Sequence, residues 1–243
     1  MLGKAAYEGR VEVIRLLLEK GADVNVRGGR YGNPLQAAAY ECKVEVIRLL
    51  LEKGADVNTQ GGRFGCALQA AAWCADRESI QLLLDNGADV NAHGGEHGNV
   101  LLAAINGLRS HEVKHIQLLL DNKANVNAYS RKYGTALQAA ISKGNVQAVR
   151  ILLDKGANVN AYSRKYGTAL QAAAYKRKAE VILLLLEKGA DVNAQGGQFG
   201  CALQAAQTEK VSSSYWIMKL TLMLMVESMG MHYRLQQQYI GAK

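Results

Sequence analysis

The sequence predicts an all-α chain, a solenoid of stacked helix pairs, and three observations carry that prediction. GADVN begins at Gly21, Gly54, Gly87 and Gly189, with KANVN at Lys123 and GANVN at Gly156, so successive loops are offset by 33, 33, 36, 33 and 33 residues. A fixed period of this size marks a repeat architecture. A second landmark keeps the same phase: Leu35-Gln36, Leu68-Gln69, Leu101-Leu102, Leu137-Gln138, Leu170-Gln171 and Leu203-Gln204. Between landmarks, an Ala-rich segment such as PLQAAAYE (34–41) precedes an apolar one such as VEVIRLLLEKG (44–54), where Val44, Ile47, Leu50 and Leu51 fall at helical spacing. Two helices this short cannot bury their own apolar faces, so neighbouring units must stack.

Taken in order, the chain opens on a partial unit, 2–25, in which Leu2 aligns with Leu35. Units 26–58 and 59–91 follow. In the first of them Pro34 stands at an initial helical position, Gly54 suits a left-handed C-cap, and the small alanines allow close helix approach. The linking stretch DVNTQGGRF (56–64) is rich in turn formers. Unit 92–127 carries a three-residue insertion. Units 128–160 and 161–193 share NVNAYSRKYGTALQAA without change, at Asn125–Ala140 and Asn158–Ala173, and a partial unit, 194–206, ends the pattern.

The pattern resembles the ankyrin repeat, with its turn into a first helix, its Ala-Ala pair, its Leu-rich second helix and its GADVN loop; the resemblance runs from Leu2 to about Ala206. It implies a noncatalytic scaffold that binds another protein on a concave face built from inner helices and hairpin tips, without metal or cofactor. Where the family carries Pro-Leu-His, most units here read Ala-Leu-Gln, and a glutamine can still donate and accept in a loop-bracing hydrogen bond. The GGxYGxALQAA variant is similar to the ankyrin arrays of fungal proteins, which often follow a NACHT-type nucleotide-binding domain. No G-x-x-x-x-G-K-[ST] phosphate loop occurs in this chain, so the resemblance implies a fragment of a larger signalling or sensor protein.

Composition narrows the setting. Twenty-nine basic against 21 acidic residues leave a formal charge of +8, which favours an acidic partner without identifying nucleic acid. No uninterrupted apolar run reaches the ~18 residues of a membrane span. The four cysteines form no CxxC, and neither a signal core nor an N-x-[ST] sequon is present; a reduced intracellular site, cytoplasmic or nuclear, is expected.

Two residue series are candidates for partner binding. One hairpin slot holds Tyr31, Phe64, His97, Tyr133, Tyr166 and Phe199, and the slot before it holds Arg30, Arg63, Glu96, Lys132, Lys165 and Gln198; Arg131 and Arg164 complete the duplicated Arg-Lys-Tyr tips. A second series, Tyr7, Tyr40, Trp73, Asn106 or a neighbour, Ser142 and Tyr175, ends the inner helices. The binding set expected from these is Arg30, Tyr31, Arg63, Phe64, Arg131, Lys132, Tyr133, Arg164, Lys165 and Tyr166 at the tips, with Tyr40, Trp73 and Tyr175 as apolar anchors. Bracing of the hairpins is the preferred reading for the tip aromatics themselves, and stacking between neighbouring units is the competing reading for the inner-helix aromatics. If the face is exposed, truncating these residues leaves thermal stability little changed. The alternative function is binding of nucleic acid or another polyanion through the basic tips.

Other motifs have plainer readings. HEVKH (His111–His115) formally matches a zinc-hydrolase helix, a distant third function, but lacks a clear third ligand. Cys66 and Cys201 occupy the turn slot of Thr135 and Thr168 and read as small packed residues. Asp56, Asp89 and Asp191 recur in one loop slot and read as turn stabilisers.

The tail, 207–243, departs from the repeat. Read one base earlier, Gln207–Met231 permits ADRESIQLLLDNEADVNAHGGE[YH]GN, against ADRESIQLLLDNGADVNAHGGEHGN at Ala75–Asn99. The expectation is an ankyrin repeat translated out of frame; the competing reading is an amphipathic helix at Trp216–Val226.

Overall fold

The computed structural model describes residues 1–108, 113–197 and 200–207. Among them are thirteen helices in the expected alternation. Inner helices are α1 (Leu2–Glu8), α3 (Pro34–Tyr40), α5 (Ala67–Cys74), α7 (Val100–Gly107), α9 (Ala136–Lys143), α11 (Ala169–Tyr175) and α13 (Ala202–Gln207). Outer helices are α2 (Val11–Glu19), α4 (Val44–Glu52), α6 (Arg77–Asp85), α8 (Lys114–Asp121), α10 (Val146–Asp154) and α12 (Ala179–Glu187). The chain divides after Ala139, within α9, into two compact units. In the first, α1, α3, α5 and α7 pack in series, as do α2, α4, α6 and α8; in the second, α11 packs on α13 and α10 on α12. Of the tail read as out of frame, 207–243, only Gln207 is described, as the last residue of α13, and 208–243 lie outside the described residues.

Local chemistry explains why each element starts and stops. Asn33 accepts the Gln36 amide at 2.8 Å and Asn99 the Leu102 amide at 2.8 Å, satisfying N-terminal donors that a helix cannot pair internally. Outer helices end in a Schellman pattern: Gly54, at φ 84°, donates to Leu51, and Ala55 donates back to Leu50 at 2.9 Å. The helices bury alternate faces. Val46, Ile47, Leu49 and Leu50 of α4 are buried, and Ala37, Ala38 and Ala39 of α3 vanish into the interior because a methyl is all that the inner-helix spacing admits.

The recurring loop locks one unit to the next. Asp56 Oδ1 accepts the Asn58 amide at 3.0 Å, which closes the turn and supports the stabilising role read for this slot. Asn58 then spans units, its Nδ2 donating to Gly87 O at 2.9 Å while its Oδ1 accepts the Asp89 amide at 2.8 Å. Asn25, Asn91 and Asn160 repeat the clamp on Asp56, Asn125 and Asp191. The GADVN asparagine is therefore a ladder rung between loops, a role that its spacing alone does not reveal.

The all-α expectation needs one small amendment. The hairpins close as two-residue antiparallel ladders: β1 (His93–Gly94) pairs β2 (Gly98–Asn99), with His93 opposite Asn99, and β3 (Tyr129–Ser130) pairs β4 (Gly134–Thr135), with Tyr129 opposite Thr135.

Candidate functional site

The hairpins are held by the glutamine that follows each inner-helix leucine. Gln171, 1% exposed, accepts the Thr168 amide on Oε1 at 2.8 Å, and its Nε2 donates to Ala194 O at 2.8 Å and Gly200 O at 2.7 Å. Gln69 acts alike, accepting from Cys66 at 3.2 Å and donating to Ala92 O at 3.2 Å and Gly94 O at 3.3 Å. One amide thus ties a helix N-terminus to the hairpin of the next unit, as expected of the Gln-for-His exchange. The space is made by glycine: Gly65 and Gly167 take left-handed φ of 89° and 67°, and a Cβ at either would strike the glutamine Oε1.

Two hairpin designs result from two sequences. In GGxYG hairpins the tips join through the backbone, Arg63 N–H donating to Arg30 O at 3.1 Å and Glu96 N–H to Arg63 O at 2.8 Å. Gly62 and Gly95 lie directly against the Tyr31 and Phe64 carbonyls, where no side chain fits. In SRKYG hairpins the donors are met internally, Lys132 N–H by Ser130 Oγ at 3.3 Å and Tyr166 N–H by Ser163 Oγ at 3.2 Å.

Within Met1–Ala139 the two aromatic series merge into one ladder. Tyr31 stacks on Tyr7 at 5.2 Å and on Tyr40 at 4.9 Å between ring centroids; Tyr40 meets Phe64 at 5.1 Å and Trp73 at 5.6 Å; His97 lies 5.7 Å from Phe64, 6.3 Å from Trp73 and 5.8 Å from Tyr133. Hairpin and inner-helix rings alternate because each hairpin lies over the seam between two inner helices. Such contacts contribute ~0.5–1.5 kcal/mol each beyond area burial. Phe64 is 1% exposed, which corrects its place in the binding set: its ring is a brace and presents no surface to a partner. Tyr31, Tyr40, Trp73 and Tyr133 are half-buried and brace through their ring–ring contacts. Because Trp73 is half-buried among three ladder rings, its truncation is now expected to lower stability, which revises the expectation made for an exposed face. The ladder also contains Tyr7 and His97, members of the two sequence series that the expected binding set left out. Hydrogen bonding to Tyr31, then to Glu41, pushes the Tyr7 phenol up to about 12.

The charges divide the two units. Glu96 takes Arg63 Nε at 2.8 Å and Lys132 Nζ at 3.2 Å, and these bonds hold its carboxyl down at about 2. Arg63 also covers the Phe64 ring at 5.3 Å and Lys132 the Tyr133 ring at 4.9 Å. Two of the cations expected to face a partner thus share one acid, while Arg30 and Arg131 are exposed. From Ala140 to Gln207, hairpin and inner-helix ends carry Lys143, Arg164, Lys165, Lys176 and Arg177, whereas the acids Asp154, Glu180, Glu187 and Asp191 fall on outer helices and a loop. Lys165 lies 4.8 Å over the half-buried Tyr166 ring and Lys176 lies 5.3 Å over that of Tyr175. Asp154 and Glu180 pair with Lys188 at 2.9 Å and Arg150 at 2.7 Å, away from those ends.

His115 of HEVKH is 2% exposed, with Nε2 3.4 Å from Ala104 O, so its ring faces the interior; His111 and Glu112 lie outside the described residues, as do Gln198 and Phe199. Cys66 is 2% exposed, and burial pushes its thiol up to about 11, in keeping with a packed residue. No helix among the described residues is long and apolar enough to cross a membrane.

A family model described as ankyrin repeats (3 copies) matches residues 2–94 and 100–196. The chain is similar to the human ASB11 ankyrin repeat domain, with 27% identity, a TM-score of 0.75 and coverage of 89% of this chain and 96% of that one. It shares its fold with the ankyrin repeat domain of Bcl-3, a member of the IkappaB protein family, at 24% identity and a TM-score of 0.73, covering 90% of this chain and 97% of that one. Comparison with curated protein sequences returns no match. Ankyrin repeats are general protein–protein interaction modules. With a family match over most of its length and the hairpin, helix-pair and loop geometry described above, the chain belongs to the ankyrin repeat family.

Proposed function

We propose that this chain is a noncatalytic scaffold whose partner is a protein with an acidic segment, docked on the inner-helix ends and hairpin tips. The contact set is Arg30, Tyr31, Tyr40, Trp73, Arg131 and Tyr133 before Ala140, and Arg164, Lys165, Tyr166 and Tyr175 after it. The observation that carries the choice of protein over nucleic acid is how the ring faces are used. The rings of the ladder stack on one another, and those of Tyr166 and Tyr175 are covered by lysines, so the rings of the contact set present cations and little open face, while Tyr129 and Tyr162 of the duplicated hairpins are exposed outside that set. Single-stranded nucleic acid is bound by stacking bases on such faces. Carboxylates suit both lysine heads and ring edges, whose quadrupole is positive. A reduced intracellular site and membership of a larger signalling protein of fungal type complete this reading.

The test is partner recovery by proximity labelling, followed by binding kinetics on purified components. Lys165→Glu with Lys176→Glu is expected to slow association and flatten its salt dependence, and Trp73→Ala to speed dissociation by about 30-fold, the equivalent of ~2 kcal/mol at an aromatic anchor. Loss of binding on outer-helix changes at Arg48 or Gln81, with the inner-face variants unaffected, overturns the docking face. A polynucleotide ligand with a steep salt slope that survives Trp73→Ala overturns the choice of partner.

A further inference from the structure

Cys42 and Cys74 stand 32 positions apart in a sequence with no CxxC, yet the repeat brings them together. Cys42 occupies the slot just past an inner helix, the position of Gly9 and Gly144, and takes a left-handed φ of 55° that is uncommon for any residue with a Cβ. Cys74 is the last residue of α5, which packs on α3. Its Sγ donates back to the carbonyl of Tyr40, two residues before Cys42, which makes the two thiols neighbours across the α3–α5 contact. The turn between is tight, Cys42 N–H bonding to Ala39 O at 3.3 Å and Val44 N–H to Cys42 O at 3.1 Å. Both cysteines are only half-buried, unlike Cys66.

We propose that Cys42 and Cys74 form a dithiol site that a low-molecular-weight disulfide of the glutathione class oxidises to an inter-repeat disulfide. The Cys42 thiolate attacks one sulfur of the small disulfide, forming a mixed disulfide and releasing one small thiolate. Cys74 then gives its proton to that thiolate and attacks the Cys42 sulfur, expelling the second small thiolate, which takes up the proton that Cys42 released on ionising. Two protein thiols are oxidised and one small disulfide is reduced to two thiols, so electrons and protons balance. Cys42 is suited to attack first: hydrogen bonding from Cys74 to the thiolate draws it below the ordinary value, helped by Lys43 and opposed by burial and by Asp76 and Glu41. The product would staple α3 to α5 at the rungs made by Tyr40 and Trp73, whose rings lie 5.6 Å apart.

The full chain is incubated, folded, with oxidised glutathione, quenched with an alkylating agent and digested with trypsin. The proposal requires loss of two of the four free thiols and a link between peptides 31–43 and 64–77 that fragmentation places on Cys74. Cys74→Ser, with wild-type helicity, is expected to stall as a glutathione adduct on Cys42, and Cys42→Ser to cut the oxidation rate of Cys74 at least about tenfold. A stable adduct on wild-type Cys42 without the link, a link that survives Cys74→Ser through Cys66, or no reaction at either residue overturns it.

Discussion

Gln171→Met isolates the amide that joins one unit to the next. Methionine keeps the length and apolar stem of the side chain but can neither accept from Thr168 nor donate to Ala194 O and Gly200 O, three bonds of 2.8, 2.8 and 2.7 Å. Each buried polar group left unpaired costs ~1–3 kcal/mol. The side chain is 1% exposed, but its hairpin acceptors are only part-buried, so the low end applies and the loss is ~3 kcal/mol. Against a typical total of ~5–15 kcal/mol that is a large fraction, and in a repeat protein it falls on one interface. Urea unfolding followed by circular dichroism should show the midpoint falling by ~1–3 M, given a slope of ~1–3 kcal/mol per M, with a broadened transition as the units around α11 and α13 uncouple. Native-state hydrogen exchange at the Thr168 amide, whose acceptor is gone, should accelerate in step. A loss below ~1 kcal/mol with unchanged protection at Thr168 would show that packing, not this amide, couples the hairpin to its helix.

Three further outcomes follow from the same structure. Glu96 is held at about 2 by Arg63 and then Lys132, against 4.5 ordinarily, so its contribution is complete above about 4.5 and drains away as pH falls toward about 2; because the carboxylate is 37% exposed, it amounts to less than ~1 kcal/mol, and Glu96→Gln should flatten acid unfolding only in that window. Gly62→Ala forces a methyl into the Tyr31 carbonyl at φ 62°, and a thermal melt should register a loss of ~1–3 kcal/mol, whereas Gly21→Ala, with open space around its Cβ, bears only the left-handed strain of ~1 kcal/mol. Trp73→Ala removes ring contacts to Tyr40, Phe64 and His97 and should cost ~2–3 kcal/mol in chemical denaturation, a stability effect to be subtracted before any binding defect is assigned.

The period of 33, the helix pairs and the family were legible in the sequence because they rest on local signals. The helical spacing of Val44, Ile47 and Leu50, the glycine after each outer helix and the recurring GADVN loop each report conformation within a few residues. The bracing glutamine was legible for the same reason, since an amide beside an N-cap has few other tasks. The division of labour within the candidate site was not legible. Tyr31, Phe64 and His97 occupy one sequence slot, yet Phe64 and His97 are buried and Tyr31 is half-buried, because exposure depends on the rings that the neighbouring units place beside them. Arg63 and Lys132 read as two members of a basic stripe until Glu96, from the unit between them, drew both onto one carboxylate. Cys42 and Cys74 likewise sit in different slots of different units, and no spacing rule pairs them. Stacking converts residues about one period apart into contacts of a few ångströms; sequence determines what each unit is, but only the packed array determines which charges cancel, which rings lose their faces and which thiols meet.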